Sequence, residues 1–251
     1  MRYAIITGTS KGLGASIGER FLRAGVNVVG VSRTESQQLR EVANQTEADY
    51  QHFTCNLADT NRLDRTFAKI NDQVFKQETK LVYLINNAAT VNPIDIATRH
   101  TIEALQAHMQ LNLVAPIITT ALVLKRAKRC GIKTIITNIT SGAADRSTYG
   151  WSAYGTSKAG LNRYTDTVAL EQKELGTDNK VILFDPSIMD TGMQEDIRAT
   201  NSESFREVDK FKKYKVDNQL SAAADVAEVL VGILLDEETV QNGKYYSIKD
   251  Y

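Results

Sequence analysis

Thr7-Gly8-Thr9-Ser10-Lys11-Gly12-Leu13-Gly14 stands directly after an apolar, β-branched run at 3–7 (YAIIT) and directly before a segment of helical period at 14–24. Three glycines at this spacing are a weak signal alone, because loops are rich in glycine. A strand before and a helix after, at the opening of a βαβ unit, make them specific for a dinucleotide-binding turn. In that reading Gly8 makes the tight turn, Gly12 lets backbone approach a pyrophosphate, and Gly14 lets helix and strand pack closely. The helix N-terminus adds unpaired N–H groups and a partial positive charge. Ile6, Ser10, Lys11 and Leu13 complete the candidate cofactor-facing set around the turn.

Outward from this turn, short apolar runs alternate with longer amphipathic segments. Further strands are expected at 26–32 (VNVVGVS), 50–57, 81–86 (LVYLIN), 134–140 (TIITNIT), 181–185 (VILFD) and 244–248. Helices are expected near 35–45, 60–76, 100–129, 152–175 and 222–235. Runs that are apolar on both faces suit a parallel sheet covered on each side by helices. The expected fold is α/β, a single Rossmann domain over 1–251 with a doubly wound parallel sheet of about seven strands. The polar segment 190–220 interrupts the alternation yet carries Met193, Ile197, Phe205, Phe211 and Tyr214. Long connections in compact domains tend to be functional, so it reads as a substrate-covering insertion, with a solvated excursion as the alternative.

Composition narrows the partners. The chain has 251 residues, 42% hydrophobic, with 30 basic side chains against 30 acidic ones. That charge balance gives no reason to expect nucleic acid or an anionic membrane. Cys55 and Cys130 cannot build a disulfide framework, and His52, His100 and His108 show no metal-ligand spacing. No uninterrupted apolar run approaches the roughly 18 residues of a membrane span, and no signal-peptide layout precedes Tyr3. A reduced, cytoplasmic setting is expected.

Two charged features refine the cofactor. The second strand ends in Ser32-Arg33-Thr34, where an NAD site usually places an acid for the adenosine ribose. A guanidinium there, with Lys11 nearby, suits the 2′-phosphate of NADPH, which arginine grips bidentately.

A reactive constellation follows. Asn86-Asn87-Ala88-Ala89 closes the fourth strand, Thr140-Ser141-Gly142 closes the fifth, and Tyr154 and Lys158 lie four apart in a helical segment. Taken singly, that pair reads as a surface couple. On one helix face, about 5–6 Å apart at Cβ, the ammonium is expected to favour the phenolate and pull the tyrosine pKa down from about 10. Such a tyrosine hands a proton to a carbonyl oxygen, with Ser141 holding the same oxygen by hydrogen bonding.

Together these motifs resemble the short-chain dehydrogenase/reductase family, over essentially the whole chain. The resemblance implies a tetrad of Asn112, Ser141, Tyr154 and Lys158, with Asn112 holding a water linked to the lysine and Lys158 also serving the cofactor ribose. It implies cofactor contacts at Asn87, Ala88 and Ala89, at Asn56-Leu57 beside adenine, and at Pro186, Ile188 and Thr191 beside the carboxamide. Asn87-Ala88-Ala89 and Asn56-Leu57 each depart from the commoner family wording, and Ser187 stands where the family has glycine. A turn needing φ > 0 at Ser187 is then strained. The stretches 138–144 and 150–154, with 189–194, are similar to the sepiapterin-reductase-like branch and to bacterial reductases that form (S)-benzoin from benzil. That likeness implies a hydrophobic ketone or diketone in a pocket with Ala143, Tyr149, Trp151, Met189 and Met193 in its walls, and a homodimer formed through 100–129 and 152–175. Alternatives are a reductase of another carbonyl, such as a pteridine or a 3-oxoacyl thioester, and a non-catalytic NADP sensor.

Overall fold

The computed structural model describes residues 1–251. Its seven strands are β1 (Arg2–Thr7), β2 (Asn27–Ser32), β3 (Tyr50–Thr54), β4 (Leu81–Asn86), β5 (Lys133–Ile139), β6 (Lys180–Asp185) and β7 (Tyr245–Ser247). They form one sheet in the order β3-β2-β1-β4-β5-β6-β7, every pair parallel. The order reverses between β1 and β4, and a crevice opens there at the strands' carboxyl ends. β3 stops at Thr54, short of the expected 57, because Cys55–Leu57 turn away to line that crevice.

The period-two alternation of the strands divides the core. Ala4 and Ile6 of β1 join the layer with Leu13, Ile17 and Phe21 of α1 (Gly12–Arg23), beside α2 (Gln37–Ala43). Ile5 joins the opposite layer with Leu63 and Phe67 of α3 (Thr60–Val74). The remaining helices are α4 (Ile102–Met109), α5 (Ala115–Cys130), α6 (Ser152–Glu174), α7 (Gly192–Ala199), α8 (Val208–Val216) and α9 (Ala223–Leu235). α9 completes the first layer through Val226, Leu230 and Leu234; α5 and α6 complete the second through Val123, Val168 and Ala169.

The segment 190–220 is no solvated excursion. It folds into α7 and α8, and Ile197, Phe205, Val208 and Phe211 enter a third apolar cluster with Trp151 and Tyr154. Trp151 stacks on Phe205 at 4.8 Å between ring centroids and meets Phe211 edge-on at 5.4 Å.

The helix expected over 100–129 is interrupted. A π turn spans Gln110–Val114, where the Ala115 N–H reaches back to the Gln110 carbonyl. Pro116 has no N–H to offer the carbonyl of Asn112, so the regular ladder cannot close there. By length and composition alone the continuous helical stretch Ile102–Cys130 is apolar enough to cross a membrane, which its interrupting polar residues hid from the sequence reading. In the fold α5 packs against α3, α6 and the sheet.

His108 clamps this π turn to α6. Its Nδ1 lies 2.7 Å from the Asn92 carbonyl, which fixes the proton there and leaves Nε2 to accept. Asn112 Nδ2 donates to that Nε2 at 3.1 Å, and Ser157 Oγ lies 3.1 Å from the same nitrogen. A second proton on the ring would point at the Asn112 amide, donor against donor. Burial lowers the His108 pKa below its ordinary value, with the Lys158 charge acting the same way; burial also lowers His52. The folded state therefore favours neutral rings, and this stabilisation is full above about pH 6.5 and is lost as pH falls below it. Denaturant midpoints between about pH 7.5 and about pH 5.5 should fall in the parent chain and fall less steeply in His108→Leu; equal slopes would clear His108 of the effect.

Close packing at the first turn is equally testable. A Cβ on Gly14 would lie 2.3 Å from the Gly8 carbonyl oxygen and 2.6 Å from Asn87 Nδ2, whereas one on exposed Gly232 in α9 meets nothing within 4 Å. Gly14→Ala should cost about 1–3 kcal/mol or more in chemical denaturation, and Gly232→Ala should add about 0.5–1 kcal/mol.

Candidate active site

Across the carboxyl ends of the strands runs a cleft of about 1590 Å³, from Arg33 and Asn56 to Met193 and Phe211. Gly8 and Gly12 take φ of +76° and +60°, the left-handed region that glycine enters without strain. Lys11 caps α1 with extended backbone and no side-chain bond, leaving the first-turn N–H groups free toward the cleft. Its ammonium reaches across to Gly192 at the start of α7. Ser10, Gly12 and Leu13 line the cleft with it.

At the far end Arg33 is exposed and makes no ion pair. Ser32 beside it is committed to protein: its hydroxyl donates to the Thr34 carbonyl at 2.8 Å and lies 3.1 Å from His52 Nε2. Asn56 Oδ1 accepts from the Ala58 N–H at 3.2 Å, which shapes the turn carrying Leu57 into the cleft. Asn87 sews β4 to the glycine turn, donating from Nδ2 to the Thr7 carbonyl at 2.9 Å and from its N–H to Thr7 Oγ1 at 3.0 Å. Ala88 and Ala89 follow along the wall.

The reactive end is built by β5, β6 and α6. Ser141 follows β5, and its hydroxyl accepts the Ala143 N–H at 3.2 Å. Tyr154 rises from the first turns of α6, wedged between Trp151 at 5.3 Å and His108 at 6.3 Å, both edge-on. Lys158 lies one turn further and donates from Nζ to the Ile139 carbonyl at 2.8 Å, with Nζ 5.9 Å from the Tyr154 ring centroid. Pro186, Ile188, Met189, Thr191 and Met193 follow β6 along the opposite wall.

The expected acidification of Tyr154 by Lys158 is not made. Burial pushes the phenol up to about 12; the Ser141 hydroxyl pulls the other way, and the Asp185 charge adds to the rise. Burial likewise brings Lys158 down to about 8, opposed by Asp185. The helical spacing is as expected, but the ammonium is turned to a backbone carbonyl on β5. The phenol is therefore firmly protonated at neutral pH, the state a proton donor requires.

Three expected site residues stand elsewhere. The Ile6 side chain is wholly in the core, while Gly14 packs against the turn as expected, without lining the cleft. Asn112 is buried in the π turn beside α6, off the cleft lining: Oδ1 accepts from the Thr90 N–H at 2.9 Å and Nδ2 donates to the Thr90 carbonyl at 2.7 Å. Tyr149 is no pocket wall; it lies at the surface under the Arg206 guanidinium, 4.3 Å from the ring centroid. Ser187 does take φ of +56°, the strained turn expected, with its N–H held by Asp185 Oδ1 at 2.8 Å.

Sequence reasoning missed Asp185 and His108, which both line the cleft. The signal for Asp185 was present: it is the one charge in the apolar run 181–185. His108 is four residues before Asn112, on the same helix face, a spacing left unread.

Comparison with known proteins gives the family and the fold likeness. The family model for short chain dehydrogenase matches residues 2–202. A benzil reductase ((S)-benzoin forming) of Bacillus cereus is 35% identical over 96% of this chain and 97% of its own. Its namesake from Bacillus subtilis strain 168 is 36% identical over the full length of both. Among solved structures, the KRED1-Pglu enzyme superposes with a TM-score of 0.82 at 23% identity, covering 98% of this chain and 100% of that one, a likeness of fold. The chain belongs to the short-chain dehydrogenase family and is an oxidoreductase acting on CH–OH and C=O groups.

Proposed function

We propose that the chain is an NADPH-dependent carbonyl reductase of hydrophobic or aromatic ketones and diketones, with conversion of benzil to (S)-benzoin as its type reaction. The observation that carries this reading is the pairing, in one cleft, of the Ser141 and Tyr154 hydroxyls at one end with the unpaired Arg33 at the other. The groups present fit a nicotinamide dinucleotide: free N–H groups at the start of α1 for a pyrophosphate, and Arg33 for a 2′-phosphate. When bound, the cofactor supplies hydride to the carbonyl carbon.

The chain's own residues then handle the oxygen. The Ser141 and Tyr154 hydroxyls hold the substrate oxygen, and the Tyr154 Oη–H bond breaks as a new O–H bond forms on the alcohol. Lys158, buried within reach of the same cavity, supports reprotonation of the phenolate left behind, with the proton drawn from solvent. Stabilising charge only as it develops raises turnover without tightening ground-state binding. Ala143, Trp151, Ile188 and Met193 give this end apolar walls, matched to an aromatic ketone. The α7–α8 segment closes over the substrate in the same reading. A homodimer, joined through the outer faces of α4, α5 and α6, covers exposed apolar residues such as Ile102 and Leu170.

Oxidation of NADPH followed with benzil, 1-phenyl-1,2-propanedione, sepiapterin and a 3-oxoacyl thioester tests the reading directly. The diketones should turn over with the highest kcat/KM; preference for the thioester would overturn the substrate class. Tyr154→Phe should keep NADPH affinity and lose about 10²–10⁴-fold in kcat. Arg33→Asp should lower the NADPH/NADH ratio of kcat/KM by about tenfold or more, the weight of a charge-assisted hydrogen bond. An unchanged ratio would remove Arg33 from the cofactor site.

A further inference from the structure

Among Asp, Glu, Lys and Arg side chains, the chain buries only two: Lys158, 3% exposed, and Asp185, 6% exposed. Both line the reactive end of one cleft. Burying a lone charge is costly, so a buried cation and a buried carboxylate at one site call for each other. The sheet brings them together. Lys158 is tied to the carbonyl of Ile139, the last residue of β5, and β5 pairs with β6 through Ile139 and Phe184. Asp185 is the next residue on β6, and the Thr140 N–H donates to the Phe184 carbonyl between them. No direct ion pair joins the two side chains; they act across the cavity.

The carboxylate is fixed in place from two sides. Oδ1 accepts the Ser187 N–H at 2.8 Å, and Oδ2 accepts the Tyr245 hydroxyl at 3.0 Å from β7. A Cβ on Gly142 would stand 3.8 Å from Oδ2, so no side chain from the Ser141 turn screens it. We propose that Asp185, latched by Tyr245, is a positioning residue that serves as the distant counter-ion of Lys158 and keeps that amine charged beside Tyr154.

Other titratable groups around the pair are accounted for. Tyr154 shares α6 with Lys158, and His108 faces it from α4, neutral by burial and by its bond to Asn92. Asp145 and Asp250 lie near Tyr245, outside the buried pair. Asp185 is thus the one buried anion available to Lys158. The same carboxylate raises both groups in the direction its charge requires, upward for the amine and upward for the phenol. It sets a higher ceiling of pH at which the site holds an ammonium and a protonated phenol together.

The consequence for turnover rests on the reductase reading, but the test does not. Competitive acetylation of the full-length protein with acetic anhydride across pH, with the Lys158 peptide quantified by mass spectrometry, reports the midpoint of that amine without any substrate. Asp185→Asn should lower the midpoint by about one pH unit or more, the size of a unit charge lost several ångströms away at an effective dielectric near 20. Because the asparagine amide would face the Tyr245 hydroxyl awkwardly, Asp185→Asn/Tyr245→Phe is the second variant and should show the same fall. Tyr245→Phe alone keeps the charge and should hold the midpoint within a few tenths of a unit. An unchanged midpoint in both asparagine variants, or an equal fall in Tyr245→Phe, would overturn the proposal. With an accepted carbonyl substrate, the alkaline limb of kcat/KM should move down by the same interval in the asparagine variants. A shifted amine in an enzyme that reduces no carbonyl would sink the reductase reading and leave the counter-ion standing.

Discussion

The backbone of Gly14 passes so close to the carbonyl of Gly8 that no side chain fits between them. That contact aims α1 at the point where β1 and β4 part. Asn87 completes it from the other side, bridging from the end of β4 to the carbonyls of Thr7 and Gly8. The turn after β1, the helix α1 that follows it and the distant end of β4 thus share one small volume with no slack. The free N–H groups of α1, the crevice and the line of residues after β4 all take their positions from it. Loosening it would move the Arg33 end and the Tyr154 end of the cleft relative to each other.

Much of this was legible before any coordinates. Strands that are apolar on both faces have few alternatives to a covered parallel sheet, and β4 runs buried at every position. Ser187 was readable as strained because only the backbone of glycine enters φ > 0 freely, and the chain put serine there. Other features lay beyond spacing. The break between α4 and α5 follows from the missing N–H of Pro116, yet whether a helix kinks, ends or bulges at such a point depends on the packing around it and on which donors reach the freed carbonyl. Here the π turn forms, and the side chain of Asn112 within it is held by the Thr90 carbonyl and His108 Nε2. Tyr149 looked like a pocket wall from its neighbours in sequence, but Gly150 with φ of +89° turns the chain and leaves it outside.

The electrostatics of Tyr154 and Lys158 were the least legible part. Four residues of helix fix how near two Cβ atoms are, but say nothing of where a long side chain ends or how much water surrounds it. Desolvation dominates both groups, and it acts in opposite directions on an acid and a base. The amine is pushed toward neutrality, the phenol is held in its neutral form, and a carboxylate on a neighbouring strand decides how far each goes. A pairwise reading of the helix could not include that third charge, although it stood in plain view at the end of an apolar strand.

The apolar end of the cleft adds one more constraint. Trp151 stacks on Phe205 and meets Phe211 and Tyr154 edge-on, so the wall of the pocket is also the cluster that holds α7 and α8 to the domain. Packed interiors resist changes in volume. A substitution that widens this wall also removes contacts that seat Tyr154 and the α7–α8 segment. The shape of this end of the cleft and the placement of Tyr154 are therefore coupled through one aromatic cluster, and the side chains freest to vary are those on its edge, Met193 and Ile188, which touch the cluster without closing it.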